Sequence, residues 1–163
     1  MNISLNAVLR RIVDNHDRTH ILSNEIIRDR EAKTTKIVKS GYAERVLKTF
    51  AIWDCHPVKT PLDANNRLSK RDCPKVVDPN VHRRYHSIVG CLSYLVNMTR
   101  PDLAFTYSQL SNFVQYPGMV HLETAERVLQ YVRATYDQGI SSMTVAVKDV
   151  NLILWRQVKL VKK

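Results

Sequence analysis

Between Ile88 and Tyr136 the apolar residues fall at helical spacing three times in succession. Ile88, Cys91, Leu92 and Leu95 stand at i, i+3, i+4 and i+7. Leu103, Tyr107, Leu110 and Val114 repeat the pattern, and Leu122, Ala125, Leu129, Val132 and Tyr136 extend it over a longer stripe. Each set predicts a helix with one buried face. Tyr116-Pro117-Gly118 divides the second helix from the third, and Gly139 reads as the stop after the third. Glu123 and Arg127 are spaced to pair on the exposed side. Between the first two helices lies "NMTRPD", Asn97 to Asp102. Thr99 is placed to cap a new helix, with Asp102 completing a capping-box-like pattern and Pro101 in the first turn. Arg100, preceding proline, is pushed out of the α region. The stretch therefore reads as a joint between two helices, and short joints imply antiparallel neighbours in a small bundle.

Upstream the period changes. Ile21–Arg28 and Thr34–Lys39 are β-prone runs around a charged "DREAK" turn, which predicts a hairpin. "SGYAERVLKTF" follows, with Ser40 as candidate N-cap and Tyr42, Val46 and Phe50 on one stripe. Arg45 and Lys48 lie off that stripe and face solvent or a ligand. Leu5, Val8, Leu9 and Ile12 sketch a short N-terminal helix, and residues 141–163 hold two β-prone runs around Lys148–Asn151. From Asp54 to Val81 no period survives. Four of the six prolines fall here, so a continuous helix or central strand is ruled out. A connector of this length is functional or poorly ordered. The fold class is α+β: a β-hairpin plus a mainly helical bundle. Its expected divisions are 1–19, a diverged N-terminal segment; 20–53, hairpin and first helix; 54–81, proline-rich connector; 82–140, three-helix bundle; and 141–163, basic tail.

Composition sharpens the functional question. The 163 residues carry a net charge of +10, unevenly placed. Residues 1–86 hold 17 basic and 10 acidic side chains, residues 87–137 hold 3 and 4, and residues 138–163 hold 5 and 1. A near-neutral packed middle with basic flanks favours a polyanion, nucleic acid before an anionic membrane, with solubility charge as the plain alternative. Three cysteines and an N-terminus broken early by charge suggest reduced thiols inside a cell, cytoplasmic or nuclear. No apolar run has the length of a membrane span.

Candidate chemistry is sparse. Cys55, His56, Cys73, His82, His86 and Cys91 contain one close pair of metal-ligand type, His82 and His86, and no matching cysteine pair. Cys55 beside His56 lacks an orienting third group. There is no glycine-rich phosphate loop, and no cofactor is expected. The aromatic residues Tyr94, Tyr107, Phe113, Tyr131 and Tyr136 sit at helical spacing, which favours a shared core over base-stacking platforms.

The landmarks combine into a resemblance. "GYAERVLKTFAIWDCHPVKTPLDAN", then "YHSIVGCLSYLVNMTRPDLAFTYSQLSNFVQYPGMVHLETAERVLQYVRATYDQGI", is similar to the Pol polyprotein of copia-type LTR retrotransposons. The pattern "P..TP", "Y...VG.L.YL...TRPD" and "H...A.R.L.Y...T...G" appears in order, and the likeness covers roughly residues 14–140. It implies the thumb and connection region of a reverse transcriptase, an RNA-directed DNA polymerase, between the palm and RNase H. By that resemblance the hairpin is primer-grip-like. Lys33, Lys36, Lys39, Arg45 and Lys48 would then lie near the primer–template backbone, with Arg83, Arg84 and Arg100 as weaker candidates and with holding the helix joint as the alternative role for Arg100. Such contacts are weak and carry no sequence information. The chain departs from the family in three places. It has no Asp-Asp pair, Leu22–Asn24 lacks the family's glycine, and residues 141–163 contain a single acid, Asp149. Polymerisation needs paired carboxylates on two metal ions, so the expectation is a truncated, non-catalytic fragment whose ends are foreign or frame-shifted. The alternatives are a basic nucleic-acid-binding module with no retroelement role, or an interaction module that self-associates through apolar helix faces.

Overall fold

A computed structural model describes residues 18–21, 24–29, 31–63, 68–143 and 159–160. The expected N-terminal helix and the β-prone runs near Lys148 lie outside the described residues. The chain divides into two units: a sheet unit, and a helical unit, Ser40–Gln138, which separates the two parts of the first in sequence.

The sheet is antiparallel in the order β1 (Arg18–Ile21), β2 (Asn24–Asp29), β3 (Thr34–Val38), β4 (Gly139–Met143), β5 (Lys159–Leu160). The predicted hairpin is β2–β3, with Ile26 opposite Ile37 and Ile27 opposite Lys36. Its turn is held by Asp29, whose Oδ1 accepts the Ala32 N–H at 2.9 Å. Lys33 closes the turn at φ 51°, a left-handed position that no glycine fills. β4 then pairs with β3, setting Ile140 beside Ile37 and Gly139 beside Val38. Ile26, Ile37 and Ile140 thus line up across three strands on one face, as the strand period of two requires. Gly139 is therefore not the helix stop that the sequence suggested. It opens a strand, and the backbone carbonyl of Ile37 occupies the space that a Cβ would need.

In the helical unit, α1 (Ser40–Thr49), α2 (Pro79–Met98), α3 (Ala104–Ser111) and α4 (Met119–Ala134) converge on one core. α1 buries Ala43, Val46 and Leu47 and packs on α4, so the bundle has four helices where three were expected. The predicted stripe of α2 is buried at Ile88, Leu92 and Leu95, with Cys91 packed partly against the core. Tyr85 joins them, fully buried, its hydroxyl donating to the Leu110 carbonyl at 2.7 Å, and burial pushes its ionisation far up. α2 starts at Pro79, inside the stretch read as connector. Asp78 Oδ1 accepts the Asn80 N–H at 2.8 Å and Pro79 takes the first turn, where its missing donor costs nothing. The stripe of α4 ends before Tyr136, which is partly exposed, because the helix stops at Ala134.

The joint at Pro101 is real, but the expected cap is not. Thr99 ends α2, its N–H donating to the Leu95 carbonyl, and its Oγ1 is buried without a partner. Pro101 opens a one-turn 3-10 helix, Pro101–Leu103, with no side-chain cap. Asp102 serves Arg100 instead, accepting from Nε at 2.9 Å and from Nη2 at 2.8 Å. The same guanidinium donates to the Thr135 carbonyl at 2.9 Å and to Thr135 Oγ1 at 2.8 Å, beyond the end of α4. Tyr131 donates its hydroxyl to Asp102 Oδ2 at 3.3 Å, and its ring lies 5.6 Å from the guanidinium carbon. Burial first, and the Asp102 charge next, raise the Tyr131 pKa. Arg100 is thus a buried tie between the joint and α4.

The connector is held in place as well. Arg127 Nη2 donates to Thr60 Oγ1 at 3.3 Å rather than pairing with Glu123, and Arg133 Nε donates to the Trp53 carbonyl at 2.7 Å. A 3-10 turn, Lys70–Asp72, carries its own box: Ser69 Oγ accepts the Arg71 N–H, and Asp72 Oδ2 accepts the Ser69 N–H.

Candidate nucleic-acid interface

The sequence pointed to cations on the hairpin and on α1, and the structure separates them into two groups. Lys33 (exposed) and Lys36 (half-buried) belong to the sheet unit. Lys39 is a correction: it is 2% exposed, so its ammonium cannot meet a phosphate without unpacking. Arg84 is also engaged. Its Nε pairs with Glu126 at 2.7 Å and its Nη2 donates to the Phe50 carbonyl at 3.1 Å, so it fastens α2 to α4 and to the end of α1. Arg83 is exposed on α2, and Arg100 is buried in the joint.

Arg45 and Lys48 remain, three residues apart on the outer face of α1. That face is fixed by the inner one: Val46 and Leu47 must point into the core. Lys48 pairs with Glu44 at 2.7 Å, but both side chains are largely exposed (58% and 40%), so the pair is worth only about 0.3–0.5 kcal/mol and yields readily to a phosphate. Arg45 lies 5.9 Å from the Tyr42 ring centre and forms no ion pair among the described residues.

Tertiary structure adds a third cation to this surface. Trp53 follows α1, and Lys48 Nζ lies 5.5 Å from its ring centre. Arg133, from the last turn of α4, lies 4.4 Å from the same ring while its Nε holds the Trp53 carbonyl. Arg133 forms no ion pair among the described residues either. The indole organises two cations that would otherwise repel, each gaining about 0.5–1 kcal/mol from the ring face. Tyr136 meets Trp53 edge to face at 5.5 Å, and Tyr42 meets Tyr94 likewise at 4.7 Å. Tyr42 has its pKa pushed up to about 12, chiefly by burial and then by its hydrogen bond with Cys91. The result is a surface that carries Arg45, Lys48 and Arg133, with Glu44 paired to Lys48, beside two aromatic pairs. It can neutralise phosphates, and nothing on it reads base edges. The sequence missed Arg133 because no local signal joins it to Trp53, 80 residues away.

Of the aromatic residues expected in the core, Phe113 is buried and Tyr107 and Tyr131 pack partly against it, whereas Tyr94 and Tyr136 are partly exposed. No cluster of three metal-ligating side chains occurs among the described residues. His82 and His86 stack at 5.9 Å, and all three cysteines are free. Among the described residues no helix is long and apolar enough to cross a membrane.

Comparison with known proteins finds sequence relatives. The chain is 36% identical over 118 residues to the retrovirus-related Pol polyprotein from transposon TNT 1-94 of Nicotiana tabacum, covering 71% of this chain and 9% of that protein. It is 38% identical over 84 residues to the retrovirus-related Pol polyprotein from transposon RE1 of Arabidopsis thaliana, covering 52% of this chain and 6% of that protein. An uncharacterized mitochondrial protein of Arabidopsis thaliana is 35% identical over 104 residues, covering 63% of this chain and 40% of that protein. The chain thus spans less than a tenth of the length of the Pol polyproteins it matches. No family model matches, and no solved structure matches.

Proposed function

Because this chain is a relative of the Pol polyproteins of copia-type retrotransposons, we propose that it corresponds to their reverse-transcriptase thumb and connection region and that its helical unit holds the nucleic-acid backbone. The observation that carries the binding role is the surface of Arg45, Lys48 and Arg133, in which two of three cations have no acid partner among the described residues. Binding is weak and indifferent to sequence, because the donors meet phosphates alone. Lys33 and Lys36 on the sheet are a second set of candidate contacts. No nucleotide-addition step is assigned to the chain, since two-metal chemistry needs paired carboxylates and the sequence has no adjacent aspartates.

The test is fluorescence anisotropy with a labelled RNA–DNA hybrid across a salt series. Binding is expected at ~50 mM salt and falls steeply above it. Removing Arg45, Lys48 and Arg133 together, as alanines, lowers the slope of log affinity against log salt by about 3, roughly 1 for each phosphate that is no longer neutralised. No retention at low salt, or an unchanged slope in the triple variant, overturns the reading.

A second reading, self-association through apolar surface, is favoured by Phe105 (68% exposed) on α3 and by Met119 (58%) at the start of α4. It predicts a sedimentation coefficient that rises with concentration and is reset by Phe105→Ser with Met119→Ser. A coefficient independent of concentration removes it.

A further inference from the structure

We infer that His121 is a proton-sensitive latch: in its neutral form it holds the start of α4 closed against the Ser69–Pro74 turn, and protonation opens that junction. His121 is the third residue of α4 and is wholly buried. Its Nδ1 accepts the N–H of Gly118, the residue that caps the helix, at 2.9 Å. Its ring stacks on Phe113, just past the end of α3, at 4.2 Å and 23°. Gly118 is in turn pressed on the connector. The Asp72 backbone carbonyl fills the space a Cβ would take, and Pro74 Cδ lies 3.4 Å from that same position. One imidazole therefore fixes the helix start, the loop before it and the connector turn.

The bond to Gly118 dictates the protonation state. Nδ1 accepts only when it carries no proton, which leaves the hydrogen on Nε2. In the imidazolium both nitrogens donate, so the Nδ1 proton would face the Gly118 N–H and the cap would have no acceptor. Nε2 is buried with no hydrogen-bond partner, and it carries a proton in both forms, so the two states differ at Nδ1.

The surroundings agree. Asp72, on the connector turn, is the acid that favours the cation, and a backbone group of Ser69 adds to it, but burial outweighs both and holds the His121 pKa below its usual value. The Asp72 carboxylate is also occupied by the Ser69 N–H at 3.1 Å. Lys70 and Arg71 on the same turn are exposed and, like the positive end of α4, oppose a cation. Residues 104–118, which include α3, contain no charged side chain. On α2, packed along α4, Tyr85 is tied to the Leu110 carbonyl and Arg84 to Glu126. The sign follows from linkage. A histidine whose folded pKa is lowered binds fewer protons closed than open, so the closed state is fully favoured above about pH 6.5 and loses ground as pH falls from there toward the lowered value.

Amide hydrogen exchange on the full chain from pH 7.5 to 5, corrected for intrinsic exchange, tests this. In the wild type, protection of the Gly118 and Cys73 amides is expected to fall up to tenfold per pH unit below about 6.5, the limit for one proton. His121→Gln keeps an acceptor at the third helical position, as a capping box does, but does not titrate. Its protection at both amides is expected to stay flat. Equal pH dependence in wild type and His121→Gln, or a flat wild-type profile, overturns the latch. Should the variant fail to fold, the wild-type ring decides: NMR must show the Nε2-protonated tautomer with a titration midpoint below the roughly 6.5 of a free imidazole side chain. A midpoint at or above that value overturns the proposal.

Discussion

Replacing Arg100 with alanine is expected to destabilise the helical unit by about 3–5 kcal/mol, read as a lower urea midpoint at an unchanged slope. The side chains of Arg100 and Asp102 are only 2% and 9% exposed and are joined 2.8 Å apart. Alanine leaves the Asp102 carboxylate in the core facing only the Tyr131 hydroxyl, and leaves the Thr135 carbonyl and hydroxyl without their donor. A loss of that size removes a large share of the 5–15 kcal/mol that holds a typical domain together. The alternative is that Arg100 serves as a surface cation, in which case alanine would shift the midpoint by under about 0.5 kcal/mol. A second substitution separates charge from shape. Arg100→Met with Asp102→Asn removes both charges and keeps bulk, so it should be less harmful than Arg100→Ala alone, because an unpaired buried charge costs more than an absent pair. If the double variant proves worse, the ion pair itself is strongly net stabilising.

The second large effect is expected at Gly139. Alanine there places a Cβ on the Ile37 backbone carbonyl and 2.7 Å from Val38 Cγ1, where β4 meets β3. Backbone cannot swing aside as a side-chain tip can, so the cost should lie near the upper end of the 1–3 kcal/mol typical of overpacking. Gly90, in the middle of α2, is the control, with nothing within 4 Å of the place a Cβ would take. Gly90→Ala should raise stability by about 0.5–1 kcal/mol through helix preference alone. Chemical denaturation of both variants checks the pair. Equal effects would mean that β4 does not meet β3 in this register.

The contrast between these glycines shows where sequence reading reached its limit. Gly139 follows a helical stripe closely, so a helix stop is the local inference. What makes it glycine is a strand about 100 residues earlier in the chain. Thr99 and Asp102 have the spacing of a cap, yet the nearby Arg100 offers Asp102 a two-pronged charged partner and wins. Glu123 and Arg127 have the spacing of an ion pair, but Arg127 reaches Thr60 in the connector. Arg84 and Lys39 read as surface cations in the sequence, and one is bonded across helices while the other is buried. The family landmarks take on structural meaning here. Tyr85, Arg100, Asp102, His121, Tyr131 and Thr135 are packed or bonded inside the helical unit rather than displayed on it.

Periodicity determined the helices, their inward faces and the hairpin, because burial of one face repeats every 3.6 or 2 residues and is written locally. It equally placed Arg45 and Lys48 off the Tyr42, Val46 and Phe50 stripe of α1, and in the fold Val46 and Leu47 between them face in. Tertiary structure alone decided which polar groups meet: Arg133 beside Trp53, Arg100 on Thr135, Asp72 under Gly118. A buried donor must find an acceptor wherever the fold brings one, and the distance along the chain between them leaves no repeat for a sequence to reveal.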